Sequence, residues 1–527
     1  MSEPAPRSLS HKLVRNTIFN SLGRTSGLLG VLLITPYVVA MLGPRMFGLW
    51  SLVLVLTGYL ELLDVGLRPA FMRYVAQFHH HEDEQGINRL LTSGFVFAAG
   101  AALIVLSLTV IFIQPLLRRM NVGVDLFAAA SVVIPLAVVA FGIAAVYRLL
   151  EAVIWGLQRM DVSNGVAIGV TVLQLLGTVI ALQGGYGLVG LVIARGLATL
   201  AGTGFLAFGL WRLSPRLRLG YRYLRRSSLE SLLRYGAKIQ VTKLAELAIL
   251  HGDKLFLGYF VGLPAVAFYE LASRIVQGTK FLSVMITSAI VPAASELDAS
   301  GDRDALRRLY RRASKYLVIA AAPLNLFPAA VAPWLVLAWL GTGYEPVVMV
   351  LQALAIGHFA HVLTASGTTI ARGIGLPEVE TRYALLLMVL NLSLSLAFIS
   401  RLGFTGVLFA TPLALILGST YFLRTVEPLV EMRWRDLWLH VYGFPTAACL
   451  ILGALTYVVA WATLTPASLM SRPEAMLIVV ASGMGMCLVY GIAIWQSGYL
   501  DSYDRQLLTG LTQRLVGERA WAADISR

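Results

Sequence analysis

The stretch from Lys238 to Lys280 combines two long apolar segments with an unusual number of charged side chains. A charge at the centre of a bilayer costs about 2.5–3.5 kcal/mol on insertion scales, so it normally faces a wet interior and serves a function. Most other apolar segments of the chain lack such charges, which predicts that this pair lines a polar pathway. The positions concerned are Lys238, Lys243, Glu246, His251, Asp253, Lys254, Glu270, Arg274 and Lys280.

Polar and charged residues form one stripe on each of four predicted helices. Asn16, Asn20 and Arg24 follow at four-residue intervals, which places them on one helix face. Stripes of this kind inside lipid must face each other or water, so we expect a central cavity between these helices. The other stripes are Thr57, Glu61, Asp64 and Arg68 on the second helix, Lys243, Glu246 and Asp253 with Lys254 beside them on the seventh, and Glu270, Arg274 and Gln277 on the eighth.

Arg24 and Lys243 are predicted to form an anion clamp. Two facing cations in low-dielectric surroundings suit a phosphate or diphosphate, and Arg can bind such a group through two parallel hydrogen bonds. The alternative is that both side chains reach back to the cytoplasmic interface, where Lys238 also lies. The predicted substrate-binding residues are Asn20, Arg24, Lys243, Lys254, Arg274 and Lys280.

The acidic residues of the stripes either bind a coupling ion or pair with the basic residues. Glu270 and Arg274 are spaced to neutralise each other, whereas Asp64 and Asp253 are the candidates for coupling to Na⁺ or H⁺. No other cofactor and no metal site is expected, and His79–Glu84 is interpreted as a solvated turn. The five acids in this ion-coupling or charge-pairing set are Glu61, Asp64, Glu246, Asp253 and Glu270.

Composition indicates a polytopic membrane protein. The 527 residues are 57% hydrophobic and 13% charged, with a mean hydropathy of +0.75, whereas soluble domains contain about 25% charged residues. Apolar runs near the length of a bilayer-spanning helix recur along the chain. The predicted helices are 17–41, 47–69, 90–114, 126–148, 162–182, 187–211, 238–260, 265–292, 316–340, 346–370, 383–400, 404–424, 440–464 and 474–496.

Basic residues support this all-α topology of about fourteen spans. Alternate loops are rich in Arg and Lys, as expected for cytoplasmic loops, which places both termini in the cytoplasm. The net charge of +14 is therefore a topology signal, not a nucleic-acid footprint. The loops on the other side of the membrane carry only Arg45, Arg118, Arg119, Arg401 and Arg472.

The two cysteines, Cys449 and Cys487, lie in apolar runs and exclude a disulfide framework.

The two halves of the chain show a weak internal repeat. Gly43 falls on Gly262, Leu52 on Leu271, Arg89 on Arg308 and Arg24 on Lys243. A shift that spans six helices predicts two pseudo-symmetric lobes with the same orientation in the membrane. The predicted divisions are an N-lobe over 1–211, a basic cytoplasmic linker over 212–237, a C-lobe over 238–424, and two further helices with a cytoplasmic tail over 425–527.

The motifs present argue for transport and against catalysis. The chain contains no Walker motif, nucleotide-binding glycine-rich loop or HExxH, so gradients or substrate supply must drive any pumping. The outward loops are short, which leaves no room for the acceptor site of a membrane glycosyltransferase or polymerase. We expect a protein that is not an enzyme.

The chain resembles the polysaccharide and O-antigen flippases of the multidrug/oligosaccharidyl-lipid/polysaccharide exporter superfamily over roughly residues 12 to 425. The matching motifs are short and identify the superfamily better than the substrate. They are Leu42-Gly43-Pro44-Arg45-Met46-Phe47-Gly48-Leu49-Trp50, Asp64-Val65-Gly66-Leu67, Arg73-Tyr74-Val75-Ala76, Asp253-Lys254-Leu255-Phe256-Leu257-Gly258, Phe268-Tyr269, Val291-Pro292-Ala293-Ala294-Ser295 and Gly301-Asp302.

The resemblance implies a two-lobed helical bundle in the bacterial inner membrane. Such a transporter carries a polyprenyl-diphosphate-linked oligosaccharide to the outer leaflet by alternating access, through a cationic cavity. It also implies a groove for the lipid tail near the last two helices. A monomer surrounded by membrane lipids is expected, working beside polysaccharide assembly enzymes. Because acidic residues are mixed into the predicted lining, a cation-coupled multidrug antiporter of the same superfamily stays open as the alternative.

Overall fold

The structure is a computed structural model that describes residues 6–64, 67–119, 124–463 and 470–506. Helices make up most of this part of the chain, and no β-strand occurs in it. The chain divides into two compact units. The first comprises Met1–Gly278 and Glu380–Gly418, and the second comprises Thr279–Val379 and Ser419–Arg527.

Each of the fourteen predicted spans coincides with helix over its described residues, which confirms the all-α membrane fold. Several helices extend beyond the predicted limits because their polar ends continue past the apolar run. The α-helices are α1 Pro6–Leu60, α2 Leu67–His80, α3 Glu84–Arg119, α4 Val124–Gly156, α5 Met160–Gln183, α6 Gly187–Leu213, α7 Arg226–Phe260, α8 Leu263–Met285, α9 Ile290–Ala299, α10 Arg303–Ala330, α11 Ala332–Leu340, α12 Glu345–Val362, α13 Ala365–Gly373, α14 Pro377–Leu402, α15 Phe404–Val430, α16 Trp434–Leu437, α17 Gly443–Thr463 and α18 Arg472–Gln496.

The first two predicted spans form one continuous element, α1, with a break inside it at Gly43. Gly43 has a φ of 72° and a ψ of 166°, a conformation that other residues adopt only with strain. Pro44 follows and cannot donate a backbone hydrogen bond, so the helix restarts there in a new direction. The repeat equivalent Gly262, between α7 and α8, also has a positive φ, of 123°.

The predicted span 316–340 is divided into two helices, α10 and α11, which meet at 76°. Pro333 lies at the start of α11, where it removes one helical hydrogen bond and crowds the carbonyl four residues earlier. That carbonyl belongs to Ala329, and it accepts a hydrogen bond from Gln352 Nε2 at 3.3 Å. The side chain of Gln352 on α12 therefore satisfies the backbone group that the proline displaces.

Up to twelve helices or bent helix pairs of the described chain are long and apolar enough to cross a membrane. Helix α7 is not among them, since its last 21 residues carry Lys243, Glu246, Asp253 and Lys254. The α1 element counts once although Gly43 divides it. The exclusion of α7 and the counting of α1 as one span together account for the difference from the fourteen predicted spans.

Candidate functional site

A cavity of about 590 Å³ lies within the first unit, between α1, α4, α6, α7 and α8. Its wall mixes apolar side chains with an unusual concentration of charge for the interior of a membrane-spanning bundle. The charged lining residues are Glu61, Arg148, Arg195, Lys243, Glu246, Lys254, Glu270 and Arg274. His251 and the polar residues Ser51, Thr57, Thr199 and Gln277 complete the hydrophilic surface.

Glu270 on α8 binds two cations at one side of this cavity. Its Oε2 lies 2.5 Å from Lys254 Nζ of α7, and its Oε1 lies 2.9 Å from Arg274 Nε. Arg274 also donates to Thr35 Oγ1 at 2.6 Å and stacks over the Phe47 ring. The pairing that the four-residue spacing predicted is therefore present. With Lys254 added, the group carries a net positive charge.

Arg148 on α4 and Arg195 on α6 add two cations that the sequence did not assign to the pathway. Arg148 is the last residue of the predicted span 126–148, and Arg195 lies inside the predicted span 187–211. Arg195 lies within electrostatic range of Glu61, Arg148 and Arg274. The described lining thus contains five cations against three carboxylates, a net excess of positive charge.

Several predicted substrate residues can be placed and others cannot. Lys243 and Glu246 both line the cavity, each with a solvent-accessible side chain. Lys280 lies on α8 beyond the boundary of the first unit and is not among the lining residues. Three predictions concern side chains that lie outside the described residues, namely those of Asn20, Arg24 and Asp64.

Asp253 occupies a second, separate polar pocket of the first unit. Its carboxylate is fully buried and accepts hydrogen bonds from Tyr269 Oη at 2.6 Å, Ser395 Oγ at 2.7 Å and Thr411 Oγ1 at 2.7 Å. Asn391 Nδ2 donates to Thr411 Oγ1 at 3.3 Å, and Asn391 Oδ1 is buried without a hydrogen-bond partner. None of the ion pairs found in the described chain involves Asp253.

The sequence pattern of a family described as "Polysaccharide biosynthesis protein" matches residues 38–349, which include the breaks at Gly43 and Gly262 and most of the cavity wall. The chain belongs to this polysaccharide biosynthesis protein family. Its membership agrees with the resemblance of the short motifs to polysaccharide flippases.

One relative of this chain is a protein named "Putative O-antigen transporter" from Shigella flexneri. It is 19% identical to this chain, and the match covers 77% of this chain and 96% of the relative. Two further relatives are aligned over only 37% and 43% of their own length, so the chain spans less than half of those proteins. The chain is similar in sequence to these proteins.

Solved structures of other proteins confirm the fold of this chain. The inward closed conformation of lipid II flippase MurJ superposes with a TM-score of 0.71, at 13% identity, and covers 92% of this chain and 100% of MurJ. An inward-facing multidrug resistance MATE family transporter of the MOP superfamily gives a TM-score of 0.65, at 17% identity, over 76% and 94% of the two chains. At these identities the likeness establishes the architecture alone.

Proposed function

We propose that this chain is a flippase that moves a polyprenyl-diphosphate-linked oligosaccharide from the inner to the outer leaflet of the bacterial inner membrane by alternating access. The observation that carries the proposal is the cationic excess of the cavity inside a membrane-spanning unit. Family membership, the name of the Shigella relative and the MurJ-like fold support the same class of cargo. Both termini lie in the cytoplasm, and the protein works as a monomer.

A diphosphate suits this cavity better than a carboxylate or a neutral lipid does. Its oxygens spread negative charge over a larger group, which several Arg and Lys side chains can contact at once. Glu270 already partly neutralises Lys254 and Arg274, so Arg148 and Arg195 supply the additional positive charge. We assign the diphosphate to the Arg148, Arg195 and Arg274 side of the wall.

The Asp253 pocket is proposed as the coupling site for Na⁺ or H⁺. A buried carboxylate without a cationic partner is costly, and a proton or a small cation would relieve that cost. The carboxylate, the hydroxyls of Ser395 and Thr411 and the unpartnered Asn391 Oδ1 are the oxygen donors that hard cations prefer. On this proposal the chain moves its cargo without catalysing a covalent reaction.

The test is a ligand titration of purified protein followed by native mass spectrometry. The probe is a synthetic polyprenyl diphosphate that carries a hexosamine. Arg195→Gln is compared with Arg212→Gln, the same substitution at the exposed end of the same helix. We expect Arg195→Gln to bind about 10- to 100-fold more weakly, as for the loss of a charge-assisted hydrogen bond, and Arg212→Gln to bind like wild type.

Other outcomes would overturn the proposal. Equal affinity in both variants would remove the diphosphate from Arg195. Failure of the wild-type protein to bind the lipid, together with binding of a cationic dye, would favour the multidrug antiporter, for which Glu61 and Glu246 in the cavity would be the counter-charges. Transfer of sugar to an acceptor by the purified protein would identify an enzyme.

A further inference from the structure

A smaller cavity of about 260 Å³ adjoins the charged one in the first unit, between α1, α5, α6 and α8. Its volume falls below the about 300–1,000 Å³ of typical small-molecule sites, so it suits one part of a larger ligand. Apart from two arginines at its edge, the described lining is neutral. The neutral polar positions are Trp50, Thr171, Gln174 and Thr178.

The two cavities share part of their walls. Val31, Trp50, Leu54, Arg195 and Arg274 line both of them. A ligand that placed an anionic group on the two arginines could therefore extend a covalently attached neutral group into the smaller cavity. The two arginines come from different helices, α6 and α8, and they lie at the junction of the two cavities.

The neutral side chains of the smaller cavity retain hydrogen-bonding capacity. Gln174 has no hydrogen-bond partner within the described part of the chain, so its amide offers two donor hydrogens and a carbonyl acceptor to a ligand. Thr171 Oγ1 donates to Ala167 O at 2.9 Å and keeps its acceptor lone pairs. All of these groups come from one face of α5, and Trp50 of α1 supplies an aromatic surface.

We propose that this smaller cavity is a sugar subsite, in which a neutral sugar unit lies against Trp50 and hydrogen-bonds to Gln174, Thr171 and Thr178 while the attached diphosphate contacts Arg195 and Arg274. The inference rests on the proposed flippase function and adds a location and a chemistry for the glycan. Sugar hydroxyls both donate and accept, which matches the amide and the threonines. Sugar C–H faces are apolar, which matches the indole ring.

Other occupants fit this cavity less well. A cation would be repelled by Arg195 and Arg274 at the junction. A lipid tail would leave the Gln174 amide buried without a partner, at a cost that a sugar avoids. A second phosphate would find no further cation among the described lining residues.

The test compares two lipids in the same native mass spectrometry titration. One is a bare polyprenyl diphosphate, and the other is the same lipid with one hexosamine on the terminal phosphate. We expect wild type to prefer the sugar-bearing lipid by about 3- to 10-fold per hydrogen bond gained. Gln174→Leu should lose most of this preference and keep its affinity for the bare diphosphate. Gln183→Leu, at the exposed end of the same helix, is the matched control and should keep both properties.

The outcomes separate this inference from the function on which it depends. If wild type binds both lipids equally, or if Gln174→Leu weakens both lipids to the same extent, the sugar subsite is wrong while the flippase proposal stands. If wild type binds neither lipid, the flippase proposal fails and the subsite fails with it. Trp50→Leu provides a second variant, for which we again expect loss of the sugar preference.

Discussion

Two ion pairs of the first unit share the same spacing and length but lie in opposite surroundings. Arg226 and Glu230, at the start of α7, are four residues apart with an N–O distance of 2.9 Å, and their side chains are 90% and 54% exposed. Glu270 and Arg274, in the middle of α8, are also four residues apart at 2.9 Å, yet they are 12% and 13% exposed.

The difference between these pairs lies in the solvent and not in the geometry. Water screens the exposed pair, so its net contribution is about 0–1 kcal/mol. In the membrane interior the same two charges have lost their hydration, and removing either one leaves the other buried and uncompensated. Lys254 strengthens the contrast, because Glu270 holds two cations at once.

The largest effect is expected for Glu270→Gln. This change leaves the Lys254 and Arg274 charges facing each other without an anion, at a cost of about 3–5 kcal/mol. Thermal unfolding of the purified protein in detergent should show a clearly lowered midpoint and a reduced folded yield. A midpoint equal to that of wild type would mean that water hydrates the two cations and that the triad has no structural role.

Asp504, in the second unit, is an intermediate case because its buried carboxylate contacts one cation. Its Oδ2 contacts Lys315 Nζ, and its Oδ1 accepts from Tyr316 Oη at 2.5 Å. Burial opposes ionisation, but the hydrogen bonds from Lys315 and Tyr316 outweigh it and lower the pKa of the Asp504 carboxyl below its ordinary value of 3.8. A lowered pKa contributes stability that is present above that value and is lost as the pH falls through the folded-state pKa.

Asp504→Asn should loosen the segment that follows α18 by about 1.5–3 kcal/mol at neutral pH. Hydrogen exchange of residues 499–506 measures this opening. Wild-type exchange should rise as the pH is lowered below 3.8, after correction for the intrinsic rate, while the variant should already exchange fast at pH 7. Equal protection of both proteins at neutral pH would show that other contacts hold this segment.

Asp253→Asn is expected to change stability less, because Asp253 has hydroxyl partners and forms no ion pair with a described residue. The amide keeps an acceptor oxygen and the same volume, so we expect a loss of no more than about 1 kcal/mol. Transport in proteoliposomes should lose its dependence on a Na⁺ or H⁺ gradient. A variant that folds normally and still responds to both gradients would remove the coupling site from this pocket.

The smallest effect is expected for Glu230→Gln, the exposed counterpart of Glu270→Gln. Loss of the Glu230 charge should change the free energy of unfolding by no more than about 0.5 kcal/mol, and added salt should reduce even that difference. Unfolding midpoints of the two Gln variants measured side by side give the comparison directly. If the two variants were equally destabilised, burial would not explain the contrast between the pairs.

The spans, and most of the breaks between them, could be predicted from the sequence. Apolar runs, the turn at Gly43 and Pro44, and the alternating Arg and Lys content are local properties, so they need no knowledge of packing. The break between α10 and α11 was not predicted, although Pro333 marks it. A proline inside an apolar run can bend a membrane helix or begin a new one, and the partner on α12 decides which.

The candidate site was predicted only in part. The charged stripes on α7 and α8 indicated Lys243, Lys254 and Arg274 because helical spacing places charges on one face. Arg148 and Arg195 were missed as cavity residues, because Arg148 is the last residue of its predicted span and Arg195 has no other charge within two turns of its helix. Their common cavity forms where α4 and α6 face α7 and α8.

Composition and residue spacing are local properties of the chain, and they were enough to predict charged residues inside a helical membrane protein. Which charges meet depends on how the helices pack. Asp253 and Lys254 are neighbours in the chain, yet one is buried among the hydroxyls of Tyr269, Ser395 and Thr411 and the other binds Glu270 in the cavity. Adjacent helix positions point about 100° apart, so the helices packed on each side determine which one becomes a candidate ion site and which one binds a carboxylate.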